Sequence, residues 1–537
     1  MKTIQTDLLV IGGGLSGLTA ADTAAAYGVR ALVVRDGRGA SPWVHGFNAP
    51  LSPEDSVEAF MEDTLRCGYG LGEPELVRAL CENGTNIVET LEHAGLRFNR
   101  DAAGTPLLLR PLGSRYPRVA SVGNETGIAI IRSIEASAEG RFDILENSRA
   151  IALRTVSGHV RGALVYDTLE NTMIYVAAST VVLAAGGFCG IYPFTTNKQD
   201  SSGDGIAMAF RAGAPLIDVE LIQFEPSAAI YPPALRGTSV ITTMLYEGAV
   251  LRNGLGDRFM LHYSSKGERA NKDALARAMA IEIRADRASP HGGIWFDATG
   301  VGAERLRAVY PMYVERYAHV GIDLSKEPIE VAPAPHTALG GVRIDPHCAT
   351  AVARLYVCGE AAGGIHGANR IGGNAGLETL VFGGRAGKSA AEYARAVPAD
   401  DSGGEAWAAD ELGSLSGVWD TVRADTIRAE LEEILTASVG VLREGAKLIP
   451  AREKLESLAA EARALSCSNE REAFYKIRLC NDVLAGLLLV TGALAREESV
   501  GCHVRLDFPR PASLPSHVIL RNHNDNGIAL TREAVGG

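Results

Sequence analysis

Eight cysteines are scattered through the 537 residues, and no two of them form a Cys-x-x-Cys pair. The chain therefore carries no signal for a structural zinc or an iron–sulfur cluster of its own, and no metal site is expected. Free buried thiols in a reducing compartment are the expected state. No uninterrupted run of roughly 18 apolar residues occurs, the length a spanning helix needs. The apolar stretch 484–490 is far shorter, so no membrane insertion is expected. Positive charge is not in excess either: the net charge is −12. That argues against nucleic acid and anionic lipid as partners and for a solvated acidic surface. No short repeat organises the 60 glycines. No basic leader or cleavage site precedes the first apolar strand at 7–11, which points to a cytoplasmic protein.

What is present suits a large α/β enzyme. An apolar content of 46% can bury a core spread over about two or three domains. Residues 4–36 read as strand, glycine loop, helix and strand, with Gly12-x-Gly14-x-Ser16-Gly17 at the turn. Glycines there permit a tight turn and close approach of a pyrophosphate, and the following helix N-terminus faces it. The position where an acid would bond the ribose holds Arg35, with Asp36 next to it. Far downstream, apolar 355–358 reads as a buried strand. Gly359-Glu360 ends it, and a glycine-rich turn leads into an apolar-periodic run from Ala375. A second strand, glycine loop and helix N-terminus is a second place to lay a phosphate or an electron-rich ring.

These segments together resemble the flavoprotein family of fumarate reductase, succinate dehydrogenase and L-aspartate oxidase. The resemblance runs through Thr180-Val-Val-Leu-Ala-Ala-Gly-Gly187, Gly203-Asp-Gly205 and Gly256-Asp-Arg-Phe-Met260. It continues in His336-Thr-Ala-Leu-Gly-Gly341, Leu355-Tyr-Val-Cys-Gly-Glu360 and His366-Gly-Ala-Asn-Arg-Ile-Gly372, and ends in Ala495-Arg-Glu-Glu-Ser-Val-Gly-Cys-His503. It implies a Rossmann-like FAD-binding domain at 1–227 and 335–397, interrupted by an α+β capping domain at 228–334. A linker at 398–406, a C-terminal helical domain at 407–509 and a tail at 510–537 would follow. FAD is the implied cofactor. Its implied contacts are Gly12, Gly14, Ser16, Gly17, Asp36, Ala185, Gly186, Asp204, Gly359, Glu360, His366, Arg370, Asn374, Ala375 and Leu377.

The implied chemistry is hydride transfer between flavin N5 and a carbon β to a carboxylate, with a proton moved at the neighbouring carbon. Motif positions give His336 and Arg370 to the carboxylate; the planar arginine fork matches it bidentately. Three departures from the family pattern stand out. Gln223-Phe-Glu225-Pro-Ser227 carries a carboxylate where the family has a histidine. The Thr-Glu pair falls at Ile241-Thr242-Thr243, without an acid. The proton-donor arginine falls on Lys272 in Asn271-Lys272-Asp273, with Arg277 a turn later as competitor. His45 is displaced from the register of the histidine that binds flavin covalently, so FAD is expected to be non-covalent. The expected activity is reduction or formation of a C=C bond beside a carboxylate other than fumarate or succinate. Electrons would pass to or from an iron–sulfur subunit, a diffusible carrier or oxygen. An amino-acid oxidase forming an imine, with Glu225 seating the substrate ammonium, is the second reading. A flavin electron-transfer protein without turnover is the third.

Overall fold

The computed structural model describes all residues except 124, 401, 414, 524–526 and 537. Residue 401 of the expected linker thus lies outside the described residues. Apolar strand Lys2–Ile11 lies centrally in a seven-stranded sheet. It pairs in parallel with Ala31–Val34 on one side and with Thr172–Leu183 on the other. Thr172–Leu183 is long enough for two further partners. Its first half pairs antiparallel with His159–Asp167, and its end pairs in parallel with Leu355–Val357. The second glycine-rich block is thereby drawn beside the first, although about 340 residues separate them. Helices Leu15–Ala26 and Asn374–Ala394 pack against each other over this sheet. The contact is close: a Cβ on Gly383 would lie 2.6 Å from the Ser16 carbonyl oxygen.

A second, antiparallel sheet has the order Ile222–Tyr231, Ile329–Ala338, Ile294–Asp297, Val250–Arg252. Residues between these strands form an apolar core of their own, in which Leu275, Met279, Phe296 and Tyr317 are buried. Strands Ile222–Tyr231 and Ile329–Ala338 carry the chain out of the body built on the seven-stranded sheet and back. They hold Glu225 and His336 near each other at the junction.

Helices Thr421–Ser438, Gly445–Ala464 and Glu470–Ala495 make the C-terminal bundle. The last is long and apolar enough to cross a membrane, with a mean hydropathy of 1.6, but 72% of that window is buried inside the fold. Counting unbroken apolar runs overlooks it, because Asn481 and Asp482 interrupt the pattern. Both are buried and bonded to the segment at 203–204: Asn481 Nδ2 donates to Asp204, and Asp482 accepts from the Gly203 amide. The segment beyond 510 is integral rather than trailing. Strand Ser516–His523 pairs with Leu216–Ile217 and with Gly527–Ala534, completing a five-stranded sheet.

Candidate active site

Two sites adjoin at this junction. The first is an elongated cleft of about 1190 Å³ between the two glycine loops. Gly12 turns at φ +115°, and a Cβ there would lie 2.1 Å from the Ala184 carbonyl oxygen. A Cβ on Gly17 would lie 2.0 Å from the Gly12 oxygen. Only glycine fits either place, so the cradle consists of bare backbone at a helix N-terminus. Ser16, Asp36, Ala185, Gly186, Glu360 and Ala375 also line the cleft. A glycine cradle at one helix start and the first turn of Asn374–Ala394 at another fit a dinucleotide with an attached ring.

Other expected contacts shape the cleft without facing it. Gly359, at φ +66°, brings its backbone against Ser16. Asn374 accepts from Asn48 Nδ2 at 2.6 Å, and Leu377 is buried. His366 is buried with Nε2 2.9 Å from Glu378. Asp204 touches the cleft, but its oxygens are taken by Arg149, Ser202 and Asn481. Arg35 cannot stand in for a ribose acid, because its guanidinium is held by Glu135 and Glu146, both at 2.5 Å.

The second site is a cluster of charges. Lys272 opens helix Lys272–Arg284, and its Nζ lies 2.5 Å from Glu225 Oε2. Ser227 Oγ lies 3.1 Å from the other Glu225 oxygen. Burial alone would raise the Glu225 carboxyl, but Lys272 beside it outweighs the burial and leaves it lowered. The pair is therefore ionised and nearly neutral as a unit. His336 is bonded through Nδ1 to Thr196 Oγ1 at 2.8 Å. Burial drives its pKa down to about 3 despite Glu225, so the ring is neutral. Arg370 is 7% exposed, and among the described residues no carboxylate pairs with it. Its Nε has no hydrogen-bond partner. Glu225, Glu360 and Glu378 act on it only from a distance; a buried guanidinium with no carboxylate in contact is costly, and a bound carboxylate would relieve that cost. Arg277 is exposed and stays outside the cluster.

Three further side chains join the cluster that the sequence does not single out for this role. His45 is walled by protein yet open to solvent, with Nε2 3.4 Å from Tyr313 Oη. Its enclosed setting, then the charges of Arg316 and Lys272, lower its pKa. Arg316 lies over the Tyr313 ring at 5.4 Å and has no carboxylate partner among the described residues. The sequence pattern raises His45 only for covalent attachment. Tyr313 and Arg316 sit on helix Pro311–Ala318, whose ordinary amphipathic pattern gives no signal.

Comparison with known proteins agrees with this architecture. A family model described as an FAD binding domain matches residues 7–375, and one described as the fumarate reductase flavoprotein C-term matches 428–534. The chain is 34% identical to a chain of the fumarate reductase (CoM/CoB) of Methanothermobacter marburgensis, over 94% of this chain and 95% of that one. It is 32% identical to L-aspartate oxidase of Synechocystis, covering 95% of each. Among solved structures, a mutated quinol fumarate reductase from E. coli matches with a TM-score of 0.92 and 26% identity, covering 100% of this chain and 97% of that one. Sdh1 of Mycobacterium smegmatis in complex with UQ1 matches at 0.87 and 28%, covering 99% and 94%.

Proposed function

We propose a substrate class and a proton route for this chain, which belongs to the fumarate reductase and succinate dehydrogenase flavoprotein family and is an FAD-dependent oxidoreductase. The substrate is an unsaturated carboxylate, reduced at the C=C bond beside the carboxylate, or its saturated counterpart. The observation that carries this reading is the buried, unpaired Arg370 beside neutral His336, facing the ion pair of Lys272 and Glu225.

FAD, when bound non-covalently in the glycine-lined cleft, supplies the hydride acceptor or donor. The chain's own residues do the rest. Arg370 grips the substrate carboxylate with its fork, and His336, fixed by Thr196, adds a neutral donor from Nε2. Together they draw electron density toward the carboxylate and leave the β-carbon electron-poor. Lys272 holds the proton for the α-carbon. A lysine ammonium yields a proton far more readily than a guanidinium, which suits it to the place of an arginine. Glu225 fixes Lys272 in position and stabilises the charge that Lys272 regains after each turnover. The buried Ser227 and Tyr313 help to exclude water.

Glu225 is already engaged by Lys272, which disfavours its use as a seat for a substrate ammonium and so disfavours an imine-forming oxidase. The retained cations disfavour an electron-transfer protein without turnover. Electrons pass through a partner iron–sulfur protein or a diffusible carrier. The eight free cysteines suit a reducing, cytoplasmic setting. Steady-state assay of the FAD-loaded protein with reduced viologen and enoates, and with a dye acceptor and amino acids, tests the reading. Turnover of amino acids alone would overturn it.

A further inference from the structure

Residues 67–69 touch the chain neighbours of two members of the charge cluster. On one side they dock on the loop that leads to Arg370. Ala368 donates its amide to the Gly68 carbonyl at 3.0 Å. A Cβ on Gly68 would lie 2.6 Å from the His366 carbonyl oxygen, and one on Gly367 would lie 2.4 Å from the Gly68 oxygen. The two backbones therefore meet with no side chain between them. Cys67 Sγ accepts from Asn369 Nδ2 at 3.0 Å. Gln223 ties the same loop to the strand of Glu225: its Nε2 donates to Asn369 Oδ1 at 2.9 Å and to the Arg370 carbonyl at 3.0 Å. The loop of Arg370 is thus held by several independent bonds.

On the other side a single side-chain bond reaches the helix of Lys272. Tyr69 Oη donates to Asp273 Oδ2 at 2.6 Å. Asp273 follows Lys272 in the first turn of helix Lys272–Arg284. It is buried, and among the described residues no cation pairs with it; Arg277 acts on it only from a distance. Its Oδ1 has no hydrogen-bond partner. Burial pushes the Asp273 carboxyl up, and the Tyr69 hydroxyl works against that rise. Tyr69 keeps its own proton, because burial and then the Asp273 charge raise its pKa. A buried carboxylate with one side-chain partner depends heavily on that partner. Tyr69 reaches it from a left-handed backbone, φ +58°, which a tyrosine rarely adopts. Its ring is 42% exposed, so it adds little to the core. A strained, half-exposed tyrosine whose hydroxyl lies on a buried carboxylate is placed for that bond rather than for packing.

We propose that Tyr69 is a positioning residue for Lys272. Its bond to Asp273 fastens the start of helix Lys272–Arg284 to the loop that also holds Arg370. It thereby sets the spacing between the proton donor and the carboxylate anchor, on which the rate depends steeply. This rests on the reading of Lys272 as that donor. Without the hydroxyl the helix start would drift, while Arg370 and His336 would keep their own ties.

Tyr69→Phe removes the hydroxyl and leaves the ring. Amide hydrogen exchange on the FAD-loaded protein reads the fastening directly. The Leu275 amide, bonded to the Asn271 carbonyl, and the three amides after it should exchange ~10-fold faster in the variant, the weight of one hydrogen bond to a charged group. Amides 377–380, at the matching place in helix Asn374–Ala394, should exchange as in the parent. With the enoate that the parent turns over fastest, kcat should fall ~10-fold while KM stays within about twofold. Asp273→Asn keeps an oxygen for Tyr69 and should lose less than Asp273→Leu, and Tyr69→Phe should add nothing to Asp273→Leu. Unchanged exchange at 275–278, equal loosening at 377–380, or a loss carried by KM would overturn the proposal. So would a further loss in the double variant. If the parent turns over no enoate, the carboxylate reading fails and the exchange result alone decides whether Tyr69 holds the helix.

Discussion

The flavin cleft and the charge cluster beside it are built from different materials. The cleft is made of backbone: Gly12, Gly14 and Gly17 leave no side chain between chain and ligand, and two helix starts supply the field. The cluster is made of side chains that come from several elements and meet only in the fold. Glu225 and His336 arrive on the crossing strands, Lys272 on helix Lys272–Arg284, and Arg370 on the second glycine loop. A backbone site tolerates almost no change, because a Cβ has nowhere to go. A side-chain site can exchange its members if the charges still balance. Lys272 and Glu225 look like such an exchange: arginine and histidine of the family pattern are replaced together by a lysine and a carboxylate that pair at 2.5 Å.

The largest effect should come from breaking the backbone side of this contrast. Gly12→Val forces a side chain into the Ala184 carbonyl at a positive φ. The purified protein should be colourless, with no flavin absorbance near the visible maximum. A yellow Gly12→Val protein would mean that the loop can give way. In the parent, acid precipitation should release all flavin into the supernatant.

On the side-chain side, Lys272→Met should keep FAD but lose turnover by ~10²–10⁴-fold, the usual range for a general acid. Arg277→Met, on the exposed face of the same helix, should stay near the parent rate. Reversal of these two results would move the proton donor. His336, held down to about 3 by burial, is neutral through the working range. The pH–rate profile should therefore show no inflection near 6.5 that His336→Gln removes.

This contrast also explains what could be read from the sequence. Strand, glycine loop and helix are local patterns with fixed spacing, so the flavin-binding fold was legible from residues 4–36 and 336–387. The identities at Glu225 and Lys272 were legible too, but their pairing was not. It depends on a register between Ile222–Tyr231 and helix Lys272–Arg284 that no local pattern encodes. The expectation that Glu225 would seat a substrate ammonium changes accordingly. Tyr313 and Arg316 had no signal, since a helix with one polar face reads the same whether that face meets solvent or substrate. Helix Glu470–Ala495 was obscured by buried polar residues that a run-length test treats as interruptions.

The Lys272–Glu225 pair changes the expectation for fumarate. A lone Glu225 would repel a second carboxylate ~4 Å away by roughly 4 kcal/mol at an effective dielectric of about 20. With Lys272 beside it, most of that repulsion is cancelled. What remains is the burial of a second charge against a neutral pair, which still costs. Fumarate should therefore have a kcat/KM ~10-fold below that of a matched monocarboxylate, about 1.4 kcal/mol. Equal values would assign the second carboxylate to Arg316, and Arg316→Met would then restore the difference.

The last effect concerns a side-chain site that serves stability alone. His517 is buried on strand Ser516–His523, with Nδ1 2.6 Å from Asp218 and Nε2 3.2 Å from Glu73. Burial pulls its pKa down, but Asp218 and Glu73 outweigh it and raise it to about 9. The unfolded value is ~6.5. The folded state therefore binds the extra proton between these limits. Its contribution is complete below about 6.5 and is lost as pH rises through about 9, roughly 3 kcal/mol in all. Asp218 also holds Arg496, so the loosening should stay local to the terminal hairpin. Amide hydrogen exchange, corrected for its intrinsic pH dependence, should show strand Ser516–His523 opening more readily at pH ~9.5 than at pH ~6.5. His517→Gln should open it at both values and remove the difference. A hairpin whose protection is the same at both pH values in the parent would show that the imidazolium is not what holds it.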